Sequence, residues 1–339
     1  MSHYDLYAIG NALVDTEYEV SDAQLSAMGV EKRHMTLIDT ERRAALLAQV
    51  HGMHARRTGG GSAGNTVVAL AQLGGKAFYS CRVADDELGA FYREDLIANG
   101  VATNLTHTKA PQGQTGSCMV MVTPDAERSM STFLGATADL DASALHPHDI
   151  AKSKVYYMEG YLAASPTGLE AALRGRQIAR DAGVALAVTL SDMSMINFCR
   201  AGLDAMVGTP ETGMLEYLFC NEEEAQVWCG STDLSVICQQ ISQQARVVCL
   251  TRSATGCVVL EGGRQTEVPA AAVKALDTNG AGDMFAGAFL WAVTHGYNYT
   301  QAAWLANQAA GLVVSQYGNR LTHAAMNALQ SRFARHIAG

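Results

Sequence analysis

Apolar stretches of strand length alternate with Ala- and Leu-rich stretches of helical spacing along most of the chain. Short apolar runs bounded by Gly or polar residues indicate buried strands, and apolar residues that recur every three to four positions indicate helices. This alternation predicts an α/β fold with a mostly parallel central sheet flanked by helices. The predicted strands are 4–9, 76–83, 117–123, 155–158, 184–190, 217–220, 246–251 and 257–260, and the predicted helices include 65–73, 168–182 and 284–293.

Two regions break this alternation. Residues 17–39 are mixed and polar, and residues 106–134 have the pattern of strand, turn and strand, with the turn at 123–127. No Pro- or Ser-rich linker divides the chain into two halves. We therefore predict one α/β domain over residues 1–339, with a small β lid that is formed by about 12–45 and 106–135 and inserted in it.

Composition and charge limit the function further. The chain has 339 residues, of which 48% are hydrophobic, so it can bury a sizeable core. The formal net charge of −9 disfavours a nucleic-acid partner, and no apolar run approaches the roughly 20 residues of a membrane span. The eight cysteines form no C-x-x-C pair, and the first residues lack a basic and apolar leader. These features predict a cytoplasmic protein with a small-molecule substrate.

The strongest chemical pattern is the Gly-rich segment 277–283, which runs directly into a stretch of helical spacing. Gly280 and Gly282 would expose backbone N–H groups at the beginning of that helix, where unpaired amides and the helix dipole attract anions. Asp283 beside an anion site makes sense as a proton acceptor from an attacking hydroxyl group. The alternative from the local pattern is that Asp283 caps the helix and that the glycines only turn the chain.

A second Gly-rich segment, 59–65, ends in Asn65 at the start of another predicted helix. It contains a formal G-x-G-x-x-G, but a dinucleotide site requires a buried strand before it, and residues 51–58 are polar and basic. The NAD interpretation is therefore disfavoured. Asn65 could offer a donor and an acceptor to the hydroxyls of a polyhydroxylated substrate, or the segment could be a tight turn with a helix cap.

Polar residues also follow three other predicted strands, where ligands collect in parallel sheets. Asp15 could accept hydrogen bonds from neighbouring hydroxyls, or it could be a turn residue. Residues 221–224 could hold Mg²⁺ through its water shell, or they could be an acidic first helical turn. Residues 251–256 form a polar Gly turn, and no G-x-x-x-x-G-K-[ST] phosphate loop is present in the sequence.

In this order, the segments resemble the PfkB/ribokinase family of carbohydrate and nucleoside kinases, over about 4–319. Segment 277–283 with Phe285 is similar to the family's carboxy-terminal signature. Segment 59–65, with 73–75 and 83–89 behind it, is similar to the amino-terminal signature. The resemblance implies a ribokinase-like fold and phosphoryl transfer that depends on positioning and charge neutralisation.

The resemblance also implies a role for each matching position. The implied catalytic residues are the base Asp283, the anion hole Gly280, Ala281 and Gly282, and a phosphate contact at Arg128. The implied substrate residues are Asp15, Gly60, Gly61 and Asn65 for the hydroxyls, with Phe133 and Leu134 as walls of a base pocket. The implied nucleotide residues are Asn221, Thr251, Gly256, Asn279, Asn307 and Gly318, and the implied Mg²⁺ residues are Asn221 and Glu224.

Details of the motifs favour the adenosine kinase-like branch of this family. Asn279 within D-T-N-G-A-G-D, the segment 10–15 and the hairpin 123–128 are similar to that branch. The implied reaction is ATP- and Mg²⁺-dependent transfer to a primary hydroxyl, the ribose 5′-hydroxyl of adenosine or a related ribonucleoside. A ribokinase- or fructokinase-like sugar kinase is the alternative, and a catalytically idle ligand sensor is a rival of another class. The family also implies K⁺ near 277–278, and a monomer or a homodimer through the lid.

Overall fold

The computed structural model describes residues 3–125, 127–209 and 212–338. Every strand predicted from the sequence is present, with bounds that differ by one or two residues at most ends. The strands are β1 Tyr4–Ile9, β2 Leu13–Glu19, β3 Met35–Leu37, β4 Ala55–Gly60, β5 Ala77–Ser80, β6 Ala102–Thr103, β7 Ser117–Val122, β8 Arg128–Phe133, β9 Ser153–Glu159, β10 Ala185–Thr189, β11 Leu215–Asn221, β12 Ala245–Thr251, β13 Cys257–Glu261 and β14 Arg264–Val268.

The helices fall between the strands, as the alternating pattern predicts. None of them, within the residues described, has the length and apolar character needed to cross a membrane. The helices are α1 Asp22–Ala27, α2 Thr40–Gln49, α3 Ser62–Gln72, α4 Glu87–Ala98, α5 Pro147–Ala151, α6 Pro166–Asp181, α7 Met193–Phe198, α8 Arg200–Val207, α9 Glu222–Cys229, α10 Leu234–Ile241, α11 Ala281–Thr294, α12 Tyr299–Val314 and α13 His323–Ala338.

The larger sheet has nine strands in the order β14-β13-β12-β11-β10-β9-β1-β5-β6. Its strands are parallel from β12 to β6, and β13 and β14 add an antiparallel edge. Helices α3, α4, α11, α12 and α13 cover one face, and α5 to α10 cover the other. Burial on both faces explains why the inner strands of this sheet are nearly continuous apolar runs. The predicted α/β fold class is confirmed.

The smaller sheet has five strands in the order β3-β8-β7-β2-β4. Its outer face packs against α1 and α2 and forms a separate core that includes Tyr18, Leu46 and Met121. Strand β4 lies outside the two segments that we expected to form the lid. The sequence did not predict this strand, because the exposed Arg56 and Arg57 and the two glycines lack a strand pattern. The predicted hairpin turn at 123–127 includes Ala126, which lies outside the described residues.

Helices α3 and α11 bring the two Gly-rich segments together. Both helices begin at the carboxyl edge of the larger sheet and pack side by side. Gly287 permits this packing, because a side chain there would overlap with the backbone of Thr66 and the side chain of Ala69. The N-termini of the two helices, and thus Asn65 and Asp283, therefore meet at one place.

Candidate active site

A cavity of about 600 Å³ lies between the carboxyl edge of the larger sheet and the inner face of the smaller sheet. Among the residues described, no Lys, Arg or His lines this cavity. Five carboxylates do, and they are Asp15, Glu159, Asp192, Glu224 and Asp283. An anionic ligand bound here must therefore find its positive partners in backbone amides, a bound cation or charges behind the wall.

The loop before α11 exposes the start of that helix to the cavity. Gly280 is the N-cap in a left-handed conformation (φ 74°), and no side chain caps the helix there. A side chain at Gly280 would also overlap with Asn319. Gly280, Ala281 and Gly282 all line the cavity, as do Thr278 and Asn279. The arrangement suits an anion, because the first amides of a helix lack partners within it.

Asp283 faces the cavity from the first turn of α11 and is held by α3. Its Oδ1 accepts a hydrogen bond from the Ser62 hydroxyl at 2.6 Å, and its Oδ2 accepts one from Asn65 Nδ2 at 2.9 Å. Burial raises the pKa of Asp283, and these two hydrogen bonds and the nearby Arg320 oppose the rise. A carboxylate that is fixed in this way and has a raised pKa is suited to accepting a proton.

Asp15 and Glu159 line the same cavity as Asp283. Asp15 Oδ2 accepts a hydrogen bond from Asn319 Nδ2 at 2.8 Å, and a side chain at Gly60 would overlap with its carboxylate. The fully buried Glu159 accepts hydrogen bonds from the backbone N–H groups of Asn11 at 2.6 Å and Ala63 at 2.8 Å. Burial raises the pKa of both carboxyls to about 7.

Asn221 and Glu224 form a reciprocal cap at the start of α9. Glu224 N donates to Asn221 Oδ1 at 2.8 Å, while Asn221 Nδ2 and N donate to the two oxygens of Glu224 at 2.7 and 3.1 Å. Burial raises the pKa of Glu224 to about 7. Residues 222–224 also form the acidic first turn of α9 that the alternative interpretation predicted. Asn221 and Glu224 both line the cavity, next to Thr251 on the neighbouring strand. No cluster of three or more His, Cys, Asp or Glu in the described chain forms a metal cage.

Several predicted site residues do not line the cavity. Arg128 is largely buried and forms ion pairs with Glu17 at 2.8 Å and Asp277 at 3.0 Å, so its role as a phosphate contact stays a prediction. Phe133 lies under the Arg43 guanidinium, 5.1 Å from its ring centroid, whereas Leu134 does line the cavity.

Three more predicted residues, all assigned to the nucleotide, lie away from the cavity wall. Asn307 Nδ2 donates to the carbonyls of Val268 at 2.9 Å and Pro269 at 3.1 Å, and so fixes the chain after β14. Gly318 N donates to Asp277 at 3.1 Å. Gly256 occupies a turn with φ 105°. The contacts of Asn307 and Gly318 hold the backbone behind the cavity wall. The nucleotide roles of all three residues stay predictions.

Sequence reasoning missed other residues around the cavity. Glu159 follows the predicted strand 155–158 directly, so the criterion that selected Asp15 could have found it. Asn319 and Arg320 carry no local signal, because only the fold brings this late segment to the first strands. Ser62, Tyr161 and Asp192 also line the cavity.

Comparison with known proteins assigns this arrangement to a class. Residues 33–324 match the model of the pfkB family carbohydrate kinase, so the chain belongs to that family and is a phosphotransferase that acts on a hydroxyl group and uses ATP. Among curated relatives, mouse ribokinase is 30% identical over 68% of this chain and 69% of its own length. Adenosine kinase from Schizophyllum commune is 26% identical over 94% and 97%.

Two solved structures are similar over almost the whole chain. Adenosine kinase from Sinorhizobium meliloti has 34% identity and a TM-score of 0.86, covering 97% of this chain and 99% of its own. A probable sugar kinase protein from Rhizobium etli CFN 42 has 34% identity and a TM-score of 0.88, covering 98% and 100%. The resemblance found in the motifs is confirmed, including its adenosine kinase-like branch.

Proposed function

We propose that the chain is an ATP- and Mg²⁺-dependent nucleoside kinase that transfers a phosphoryl group to the 5′-hydroxyl of adenosine or a related ribonucleoside. The observation that carries the proposal is the two-sided character of the cavity. Its carboxylates lie beside the loop before α11, which we call the Gly280 loop, and an apolar wall lies under the smaller sheet. That wall includes Leu13, Met35, Leu37, Met130, Leu134 and Met195.

A register row across the smaller sheet connects the two sides. Asp15, Cys118, Thr132 and Leu37 are direct neighbours on β2, β7, β8 and β3. Three strand spacings separate the ends of this row by about 14 Å. A ribose at Asp15 with an apolar base toward Leu37 suits such a row. A free sugar has hydroxyls on all sides, and burial against an apolar wall would leave some of them unpaired.

Leu37 and Met35 support an apolar ligand in a second way. Leu37 is 60% exposed and Met35 is 43% exposed, although both face the cavity from strand β3. Large apolar side chains that stay accessible in a concave site are typical of a surface that is covered when a ligand binds. We further propose that the smaller sheet acts as a lid on a single domain and excludes water from the reaction.

In the proposed mechanism, Asp283 accepts the proton of the acceptor hydroxyl, and Ser62 and Asn65 hold its carboxylate toward that hydroxyl. The backbone amides of Gly280, Ala281 and Gly282 stabilise the negative charge of the transferred group. Asp15 and Asn65 orient the ribose hydroxyls. MgATP supplies the phosphoryl group and part of the charge neutralisation.

The site fits Mg²⁺ through an outer contact. Each Glu224 oxygen already accepts one hydrogen bond from Asn221 and keeps a second lone pair for a metal-bound water. This suits Mg²⁺, which keeps several of its waters and binds phosphate oxygens directly. The K⁺ requirement stays a prediction, and replacement of K⁺ by tetramethylammonium in the assay would test it.

A coupled assay of ADP release, run over nucleosides and free sugars, tests the acceptor. We expect adenosine to give the highest kcat/KM. The 30% identity to mouse ribokinase supports the sugar-kinase alternative. This alternative would replace our proposal if ribose or fructose gave a higher kcat/KM than every nucleoside. Protein carrying Asp283→Asn, purified in parallel, controls for contaminating kinases, and a reaction without acceptor controls for ATP hydrolysis.

A further inference from the structure

Arg320 stands behind the cavity wall, in the segment between α12 and α13. Its side chain is 9% exposed and forms an ion pair with Asp95 of α4. Its Nε donates a hydrogen bond to Asn65 Oδ1 at 3.0 Å. Asn65 in turn donates from Nδ2 to Asp283 at 2.9 Å. The four side chains therefore form a continuous series from α4 to the carboxylate beside the Gly280 loop.

The Arg320 contact determines which way the Asn65 amide faces. Asp283 can only receive a hydrogen bond when the amide NH₂ group points toward it, and the guanidinium can only donate when the amide oxygen points away from Asp283. Without Arg320 the amide could rotate, place its oxygen against the carboxylate and lose both contacts. Asn65 is itself 4% exposed, so water offers little compensation.

Gly59 makes room for the anchor of this series. A side chain at Gly59 would overlap with the Asp95 carboxylate and with both terminal nitrogens of Arg320. The first glycine of the formal G-x-G-x-x-G thus serves the Arg320–Asp95 ion pair. Glycine at position 59 therefore has a structural explanation that does not depend on a ligand.

We propose that Arg320 is a positioning residue of the phosphoryl transfer: anchored on Asp95, it fixes the Asn65 amide against Asp283 and supplies positive charge behind a cavity lined by carboxylates. This inference rests on the proposed role of Asp283. Its neighbour Asn319 acts in parallel on Asp15, so two consecutive residues support Asp283 and Asp15.

The electrostatics agree with the geometry. The charge of Arg320 lowers the pKa of both Asp283 and Asp15, and so opposes the rise that burial causes. Loss of this charge should move the ionisation of Asp283 to higher pH. The other groups that face Asp283 are Ser62 and Asn65 of α3, Asp15 of β2, Tyr157 and Glu159 of β9, Tyr161 after β9, and Glu224 of α9.

The first test follows the Asp283 carboxyl carbon by NMR in ¹³C-Asp-labelled protein, with Asp283→Asn to assign the signal. We expect a higher titration midpoint in Arg320→Met and a midpoint close to that of the wild type in Arg320→Lys, which keeps the charge. This measurement needs no acceptor, so it stands even if the proposed substrate is wrong. Arg176→Met is the matched control, because Arg176 is also buried and its hydrogen bonds to the described residues all go to the backbone carbonyls of 207, 212 and 213.

The second test measures kcat with whichever acceptor the screen identifies. Arg320→Met should lower kcat by about 10- to 100-fold with little change in KM, and the loss should be greatest at acid pH. In an Asn65→Ala background the same substitution should cost much less, because the intermediary is gone. An unchanged Asp283 midpoint, with a kcat no lower than that of Arg176→Met, would overturn the proposal. If Arg320→Met does not fold, Asp95→Asn tests the anchor instead.

Discussion

The two ends of the cavity are built in different ways. The centre of the polar end is the contiguous segment 277–283 with the start of α3, and its side chains are fixed by short hydrogen bonds such as Ser62 to Asp283. The apolar end consists of side chains on separate strands, and Leu37 there is 60% exposed. In the proposed function this difference separates two tasks: positioning of the reacting groups at one end, and selection of the acceptor by an accessible surface at the other.

The largest expected effect concerns the polar end. Asp283→Asn keeps the side-chain shape but removes the proton acceptor, so kcat should fall by about a thousandfold. The dissociation constant of ATP, measured by titration, should change little. Turnover that stays within tenfold of wild type would remove Asp283 from the base role and end the contrast between the two ends.

The Gly280 loop should be the next most sensitive feature. Gly280→Ala introduces a side chain at φ 74° that overlaps with Asn319, so the start of α11 must shift. We expect kcat to fall by about 10- to 100-fold, since phosphoryl transfer depends on positioning. Gly296→Ala is the control, because its φ of 86° imposes similar backbone strain but nothing lies within 4 Å. Equal kcat values in the two variants would contradict a positioning role for the loop.

The apolar end should respond in substrate preference. Leu37→Asn removes apolar contact from a residue that is already exposed, so it should leave the fold intact and raise the KM for a nucleoside by about tenfold. The kcat/KM for a free sugar should not change. Ile97→Asn, at a residue on α4 that is 51% exposed, is the matched control. Equal losses for nucleoside and sugar would show that this wall does not select the acceptor.

The smallest expected effect is on stability. Burial raises the pKa of Asp15 to about 7, above its unfolded value of roughly 3.9. The folded state therefore binds more protons between these values, and this group's contribution to the free energy of unfolding decreases as pH rises from 4 to 7. Asp15→Asn should accordingly raise the free energy of unfolding by about 1 kcal/mol at pH 8, or roughly 2 °C in Tm.

The same variant should gain almost nothing at pH 3, below both pKa values, where Asp15 is largely protonated in both states. Denaturant titrations at the two pH values test this. The expected gain is well below the full value of the pKa shift, because Asp15 faces a cavity that water can enter. A gain of equal size at pH 3 would assign the effect to packing and not to charge.

The sequence predicted seven of the nine strands of the larger sheet because each of these is a short apolar run, whereas it missed the two-residue β6 and the polar edge strand β14. Asp283 and Gly280 could also be found, since their chemistry lies in one contiguous segment at the beginning of a helix. Contacts between distant segments escaped prediction for a physical reason. Arg320 approaches Asn65 across 255 positions, and no local periodicity encodes that approach. For the same reason Arg128 was expected at a phosphate, whereas the fold pairs it with Glu17 and Asp277.

The separate core of the smaller sheet has a consequence for evolution and engineering. All five of its strands, and the helices that cover them, come from residues 13–133, whereas the Gly280 loop comes much later in the chain. A single recombination event near residue 135 between two members of this family would exchange the apolar wall, except for Met195, together with its supporting hydrophobic packing. Chimeras made at this junction offer a direct way to transfer acceptor preference from one kinase to another while they retain one phosphate-handling loop.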